Sequence, residues 1–187
     1  MISAESIPLC RELEREKTMQ YVSEYDSPLG CILLASDETG LCGLWFQGQK
    51  YDRLTLQEDC RHAETRVIRM AKKWLDNYFQ NQVPDLQIPL HLQGTHFQKT
   101  VWAYLLTIPY GTTATYADCA KAAAAALGKK RMSAQAAAGA IARNPVSILV
   151  PCHRVIGTDG KLHGYAGGLD KKEYLLRLEQ QTAKPAK

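Results

Sequence analysis

The residues best suited to chemistry in this chain stand together near its end, in Val146-Ser147-Ile148-Leu149-Val150-Pro151-Cys152-His153-Arg154-Val155. The apolar run predicts a strand stopped by Pro151, delivering Cys152 beside two basic side chains. Cations lower a cysteine pKa and the thiolate is the nucleophilic form, so a thiol placed there is a candidate for covalent chemistry. The alternative is an inert core cysteine, since cysteine is among the residues most often buried.

With 187 residues, 45% of them hydrophobic, the chain can bury a real core as one large domain or two small ones. A net charge of +4 permits a nucleic-acid partner without demanding one. No basic segment leads into an apolar stretch at the start, and no run approaches the roughly 20 apolar residues of a membrane span, so a cytoplasmic location away from membranes is expected. The six cysteines, Cys10, Cys31, Cys42, Cys60, Cys119 and Cys152, are scattered, which fits reduced thiols. Cys60 and His62 with Cys31 or Cys42 lack the closely paired spacing of a zinc site, and no metal is expected.

The elements that must position Cys152 follow from the patterning. Residues 1–18 read as a charged tail, with a short solvated helix or loose segment over Arg11 to Lys17. Met19 to Tyr25, Gly30 to Ala35 and Gly40 to Phe46 are β-prone runs separated by turn compositions and predict an antiparallel meander. His62 to Asn81 has a helical apolar stripe, and Val83 to Gly94, with two prolines, reads as an extended linker. This gives an N-terminal domain over 19–92, a second domain over 93–180 and a tail over 181–187: an α+β protein.

In the second domain, Thr95 to Leu106 predicts a helix, and another starts at Thr115 and runs to Leu127 before Gly128 and the basic Lys129-Lys130-Arg131. Ser133 caps a third, Ala134 to Ala142, made almost wholly of small residues. Helix, basic turn and slim helix outline a helix-turn-helix that could approach a phosphate backbone closely. The same small residues would equally allow tight helix packing.

Asn144-Pro145-Val146, Pro151-Cys152-His153-Arg154-Val155, Gly164-Tyr165-Ala166-Gly167-Gly168, and Pro109-Tyr110-Gly111 with Tyr116 together resemble the O6-alkylguanine-DNA alkyltransferases. The resemblance runs from about Tyr21 to Glu179. It implies a ribonuclease H-like N-terminal α/β domain with an antiparallel sheet, then a mainly helical, winged-helix-like domain. It implies single-turnover transfer of an alkyl group from guanine O6 in double-stranded DNA to Cys152, by a monomer without cofactor, after the nucleotide is flipped out through the minor groove. His153 is similar to the family's base, reached through water, and Glu179, on a helix predicted over Lys171 to Glu179, to the carboxylate that orients it. Asn144 matches a buried asparagine that orders the cysteine region, and Tyr116 a tyrosine that bonds the flipped guanine. Tyr165, Ala166 and Gly167 match the pocket loop, with the Ala166 N–H and the Val155 carbonyl as backbone contacts to the base. Arg154 would either favour the thiolate or support the loop.

The resemblance also places Ser133 and Ala134 at the DNA, and there the chain departs from the pattern. Where the family often has an arginine that fills the gap left by the extruded base, this chain has Gln135, so weaker or differently ordered extrusion is expected, with Arg131 as a substitute. The alanine-rich stretch from Lys121 to Leu127 is long for the first helix of the motif. Two other readings compete: a binding-only relative, which would lack the cysteine, and a thiol hydrolase using Cys152, His153 and Glu179.

Overall fold

The computed structural model describes residues 18–83 and 87–183. The charged tail expected over 1–18, with Arg11 to Lys17 and Cys10, lies outside them except for its last residue, as does the end of the tail expected over 181–187.

Strands β1 (Tyr21–Ser27) and β2 (Gly30–Ser36) pair antiparallel, with Ser27 opposite Gly30 across a tight turn in which Gly30 takes φ +100°. Strand β3 (Leu41–Phe46) continues the expected meander. The sheet has a fourth member that periodicity did not reveal: β4 (Arg61–His62) pairs parallel with β1, giving the order β3-β2-β1-β4. His62 therefore belongs to the sheet, and the helix expected from it starts later. Helix α1 (Arg66–Phe79) begins after Thr65, whose hydroxyl accepts from the Ile68 N–H at 3.2 Å and shares a 2.7 Å hydrogen bond with Ser36. A two-residue strand is too short to leave a pattern.

Side chains alternate along strands, so Ile32, Leu34, Leu44 and Phe46 face one side while Leu33, Ala35 and Trp45 face the other, and a bulge in the β2–β3 register places Cys42 with the second group. Both faces are buried. The second packs under Leu56 and Cys60; the first joins Ile68, Ala71, Leu75 and Tyr78 of α1 and continues without a break into the C-terminal helices and Cys152. The two halves thus share one core.

Helix α2 (His96–Leu105) carries a capping box of Thr95 and Gln98. The two-residue strand β5 (Ala114–Thr115) leads into α3 (Tyr116–Ala126), where Thr115 and Asp118 form a second box. Gly128 at φ +63° ends α3, and Ser133 caps α4 (Ala134–Ala142). The small residues of α4 bear out tight helix packing on one face and leave the other face open. Ala137, Ala140 and Ile141 are buried, with the Ala140 carbonyl accepting from the Trp102 indole at 2.9 Å, while Ala134, Gln135 and Ala136 are exposed.

The segment before Cys152 corrects the expected strand. Only Val146 bridges to the sheet, at Leu44, and the chain then turns, with Ile148 at φ +68° and the Val150 N–H bonded back to the Val146 carbonyl at 3.0 Å. Asn144 accounts for the turn. Its side chain accepts from the Val146 N–H at 3.0 Å and donates to the Val150 carbonyl at 2.8 Å, supplying partners that a strand ladder would otherwise provide. Cys152 opens a single 3₁₀ turn ending at Arg154; β6 (Val155–Ile156) then pairs parallel with β5, which brings the start of α3 beside the cysteine turn. Helix α5 (Leu169–Ala183) runs past Glu179, where the sequence reading ends it, so residues 181–183 continue the helix.

The linker read over 83–94 is extended but not free. The Leu41 N–H donates to the Pro89 carbonyl at 2.8 Å and the His91 N–H to the Leu41 carbonyl at 2.9 Å, so the linker covers one end of the outer edge of β3. Residues 145–147 cover the rest through Leu44. Gly40 is where this crossing is tightest, because a Cβ there would lie 2.6 Å from the Pro89 carbonyl oxygen. Gly40→Ala is expected to cost about 2 kcal/mol by forcing the backbones apart; an unchanged urea midpoint would contradict that crossing.

Candidate active site

Cys152 is 5% exposed, and its sulfur accepts a hydrogen bond from the Asn144 side-chain amide at 3.1 Å. The asparagine that folds the preceding turn therefore also holds the thiol. The sulfur opens on a cavity of about 260 Å³ lined by Tyr116, Ala138, Ile141, Tyr165 and Ala166 among others. Burial is the largest influence on the thiol and pushes its pKa up; the Asn144 hydrogen bond and the charge of Lys172 oppose it. The resting group is a protonated thiol that needs a base.

His153 is fully buried, and its Nε2 lies 2.7 Å from Glu179 Oε1. Burial lowers its pKa against the pull of Glu179, so the ring is neutral. An ionised carboxylate only accepts hydrogen bonds, which puts the imidazole proton on Nε2 and leaves Nδ1 with a free lone pair. Nδ1 is buried and has no hydrogen-bond partner among the described residues. A neutral imidazole fixed in this tautomer is a proton acceptor.

Glu179 is itself fully buried. Its carboxylate accepts from the Tyr78 hydroxyl at 2.8 Å, from Arg154 Nε at 2.8 Å and Nη2 at 2.9 Å, and from the Gly111 N–H at 3.0 Å, besides His153. Burial alone would raise its pKa, but the hydrogen bonds of His153 and Arg154 and the charge of Arg154 outweigh that and hold it at about 2.

These contacts correct the opening electrostatic expectation. Arg154 does not act on the thiol: its guanidinium is committed to Glu179 and to the Ile108 carbonyl at 2.6 Å. His153 contributes a lone pair rather than a positive charge. The cation that favours the thiolate is Lys172, which the sequence reading passed over. It is fully buried on α5, donates to the carbonyls of Val155 at 2.5 Å and His163 at 2.7 Å, and burial lowers its pKa to about 8 against the pull of Cys152. A signal was available: Lys172, Leu175, Leu176 and Glu179 fall on one helical stripe, so Lys172 had to point inward with them. Tyr78 was likewise read only as part of an apolar stripe.

The remaining candidates divide by place. Tyr116 walls the cavity and donates to the carbonyls of His163 at 2.8 Å and Gly164 at 3.3 Å; burial, then Cys152, pushes its pKa up to about 12. Tyr165 and Ala166 line the same cavity, and Gly167 packs beside them, where a Cβ would meet Phe46 and Tyr165 at 3.0 Å. Val155 is buried and is not among the residues that line the cavity, and its carbonyl accepts from Lys172. At the open end of α4, Gln135 lines a shallow groove with Thr95, Phe97 and Arg143. Arg131 and Ala134 line another with Lys121, Lys129 and Lys130, and Ser133 is exposed between them as the helix cap.

Comparison with known proteins shows the family to which this chain belongs. Residues 20–92 match the family model of the 6-O-methylguanine DNA methyltransferase ribonuclease-like domain, and residues 96–181 match that of the DNA-binding domain of the same family. A methylated-DNA–protein-cysteine methyltransferase from Methanosarcina barkeri is 44% identical over 163 residues, 87% of this chain and 98% of the relative. One from Mycobacterium leprae is 41% identical over 165 residues, 87% and 93% of the two chains. The chain belongs to the 6-O-methylguanine DNA methyltransferase family. In structure it is similar to Mycobacterium tuberculosis OGT in complex with DNA, with a TM-score of 0.75, 36% identity and coverage of 88% of this chain and 96% of the other. Family membership and the presence of Cys152 together set aside the thiol-hydrolase reading and the binding-only reading.

The ionised state of the carboxylate has a consequence for stability. A carboxyl whose folded pKa is depressed contributes stability that is present above its ordinary value of 4.5 and is lost as pH falls toward about 2. Glu179→Gln should cost about 3 kcal/mol at pH 7, and the difference from wild type should shrink across that acid window. Urea denaturation of both proteins as a function of pH checks this, and a pH-independent difference would contradict it.

Proposed function

We propose that this protein repairs alkylated DNA by direct reversal, with Cys152 as the acceptor. The observation that carries the reading is a single constellation: a buried thiol held by Asn144, open to a cavity that admits one base, and backed by the His153–Glu179 pair. The Cys152 sulfur attacks the alkyl carbon on guanine O6, forming a carbon–sulfur bond as the carbon–oxygen bond breaks. The thiol proton passes to His153 Nδ1, through water as the resemblance implies, and is returned to the leaving guanine, so thiol and O6-alkylguanine become thioether and guanine. Lys172 favours the thiolate as it forms, and Asn144 fixes the direction of attack. The thioether has no leaving route, so each protein acts once.

A guanine O6 inside a duplex cannot reach a sulfur at the back of a pocket, so the nucleotide is flipped out, at a cost of a few kcal/mol. Its base lies against Tyr116, with backbone groups of the Tyr165–Gly167 loop at its edge. The exposed face of α4, with Ala134 and Ala136, lies in the minor groove, where small side chains let the backbone approach closely. The basic turn with Arg131 and the N-terminus at Ser133 meet phosphates. Gln135 reaches toward the gap without a charge. We read the acting species as a monomer in a reducing compartment, where the five described cysteines stay free.

Transfer of a labelled methyl group from an O6-methylguanine duplex tests this. The wild type is expected to take one methyl per molecule and Cys152→Ser none, while Gln135→Arg transfers faster than wild type at limiting protein. Methyl transfer that survives in the serine variant would sink the assignment.

A further inference from the structure

Lys50 belongs to the sheet-bearing half of the chain, yet it lines the cavity that holds the Cys152 sulfur. It is the one charged residue among those described at the cavity wall; the others are tyrosines, alanines, an isoleucine, a glycine and the cysteine. Its position is built. The backbone N–H of Lys50 donates to the Ala166 carbonyl at 2.9 Å, joining the turn after β3 to the pocket loop. One residue earlier, the buried Gln49 folds that turn by accepting from the Phe46 N–H at 3.0 Å. One residue later, Tyr51 is held at φ +62°, a conformation that is costly for a bulky residue.

The charge is held ready for a partner. Lys50 Nζ lies 5.2 Å from the centre of the Tyr51 ring, and the Arg143 guanidinium, from the end of α4, lies 4.9 Å from the same centre. Two cations that share one ring repel each other, and an anion beside them relieves that repulsion. The side chain of Lys50 is exposed and has no carboxylate partner among the described ion pairs. A guanine base is neutral, so the anion that arrives at this cavity with its substrate is a phosphate of the nucleotide backbone.

We infer that Lys50 binds the phosphate flanking the extruded nucleotide, so that the N-terminal domain takes part in substrate binding and does more than support the fold. This rests on the reading of Cys152 as the alkyl acceptor. The contact helps to hold the nucleotide out of the stack, and the Lys50–Ala166 hydrogen bond ties the grip on the phosphate to closure of the pocket loop.

The test measures methyl transfer by wild type, Lys50→Gln and Lys50→Arg, each full length. The substrates are duplexes with one O6-methylguanine and either natural linkages or a single neutral methylphosphonate on the 5′ or the 3′ side of the lesion. With the natural duplex at limiting protein, Lys50→Gln is expected to be about tenfold slower and Lys50→Arg close to wild type. One of the two neutral linkages should slow the wild type by a similar factor and leave Lys50→Gln unaffected. With O6-methylguanine as the free base, Lys50→Gln and wild type should react equally. An unaltered rate for Lys50→Gln on the natural duplex, equal losses on duplex and free base, or the same sensitivity of both proteins to the neutral linkage would each overturn the inference. Failure of the underlying reading has a different signature, a wild-type protein that takes no methyl group from any substrate, and it would overturn both.

Discussion

A buried carboxylate that must stay ionised organises this molecule. Glu179 is out of reach of water, and an isolated charge in such a place would be protonated or expelled. It is kept ionised by hydrogen bonds from Tyr78, His153, Arg154 and the Gly111 backbone, which come from three different parts of the chain. Tyr78 comes from α1 in the sheet-bearing half, Gly111 from the turn before β5, His153 and Arg154 from the cysteine turn, and Glu179 itself from α5. Removing one partner leaves the others facing a charge they can no longer satisfy, so the arrangement is cooperative. The same carboxylate that joins the two halves also sets which nitrogen of His153 is free to take a proton.

Around that centre the chain solves a second problem, which is to hold a reactive sulfur still. A strand would have carried Cys152 along a regular ladder. Asn144 instead folds residues 145–152 into a compact turn and spends its last donor on the sulfur. The turn is anchored to the outer edge of β3 through Leu44, so the sheet fixes the nucleophile directly and the slim helix α4 leads straight into the turn. Burial then keeps the thiol protonated until the base and Lys172 shift the balance, which protects it between encounters with substrate.

Much of this was legible in the sequence, for physical reasons. Ser133, Thr115 and Thr95 are good caps, and the helices start at those residues because a capping hydroxyl acts within one turn. The meander was visible through its turns and α1 through its stripe. The cysteine turn was misread because an apolar run reports burial and not backbone shape; the shape came from one asparagine side chain. Sequence proximity offers Arg154 only to the thiol or to the pocket loop, while its partner stands 25 residues away on α5. Lys172 was legible and missed, since its place on the stripe with Leu175 and Glu179 requires it to point inward. Lys50 carried no signal at all: its role depends on a loop from one half meeting a loop from the other, which only the fold brings about.

Proton removal from Cys152 depends on His153 acting as a neutral base whose tautomer is set by Glu179. Nitrogen-detected NMR of the imidazole in ¹⁵N-histidine-labelled protein reads this directly. At neutral pH the His153 ring should show a protonated Nε2 and an unprotonated Nδ1, and its titration should lie below the ordinary histidine value because burial lowers the pKa. A His153 ring protonated on Nδ1, or carrying both protons at neutral pH, would contradict the account, since neither form could take the proton of Cys152.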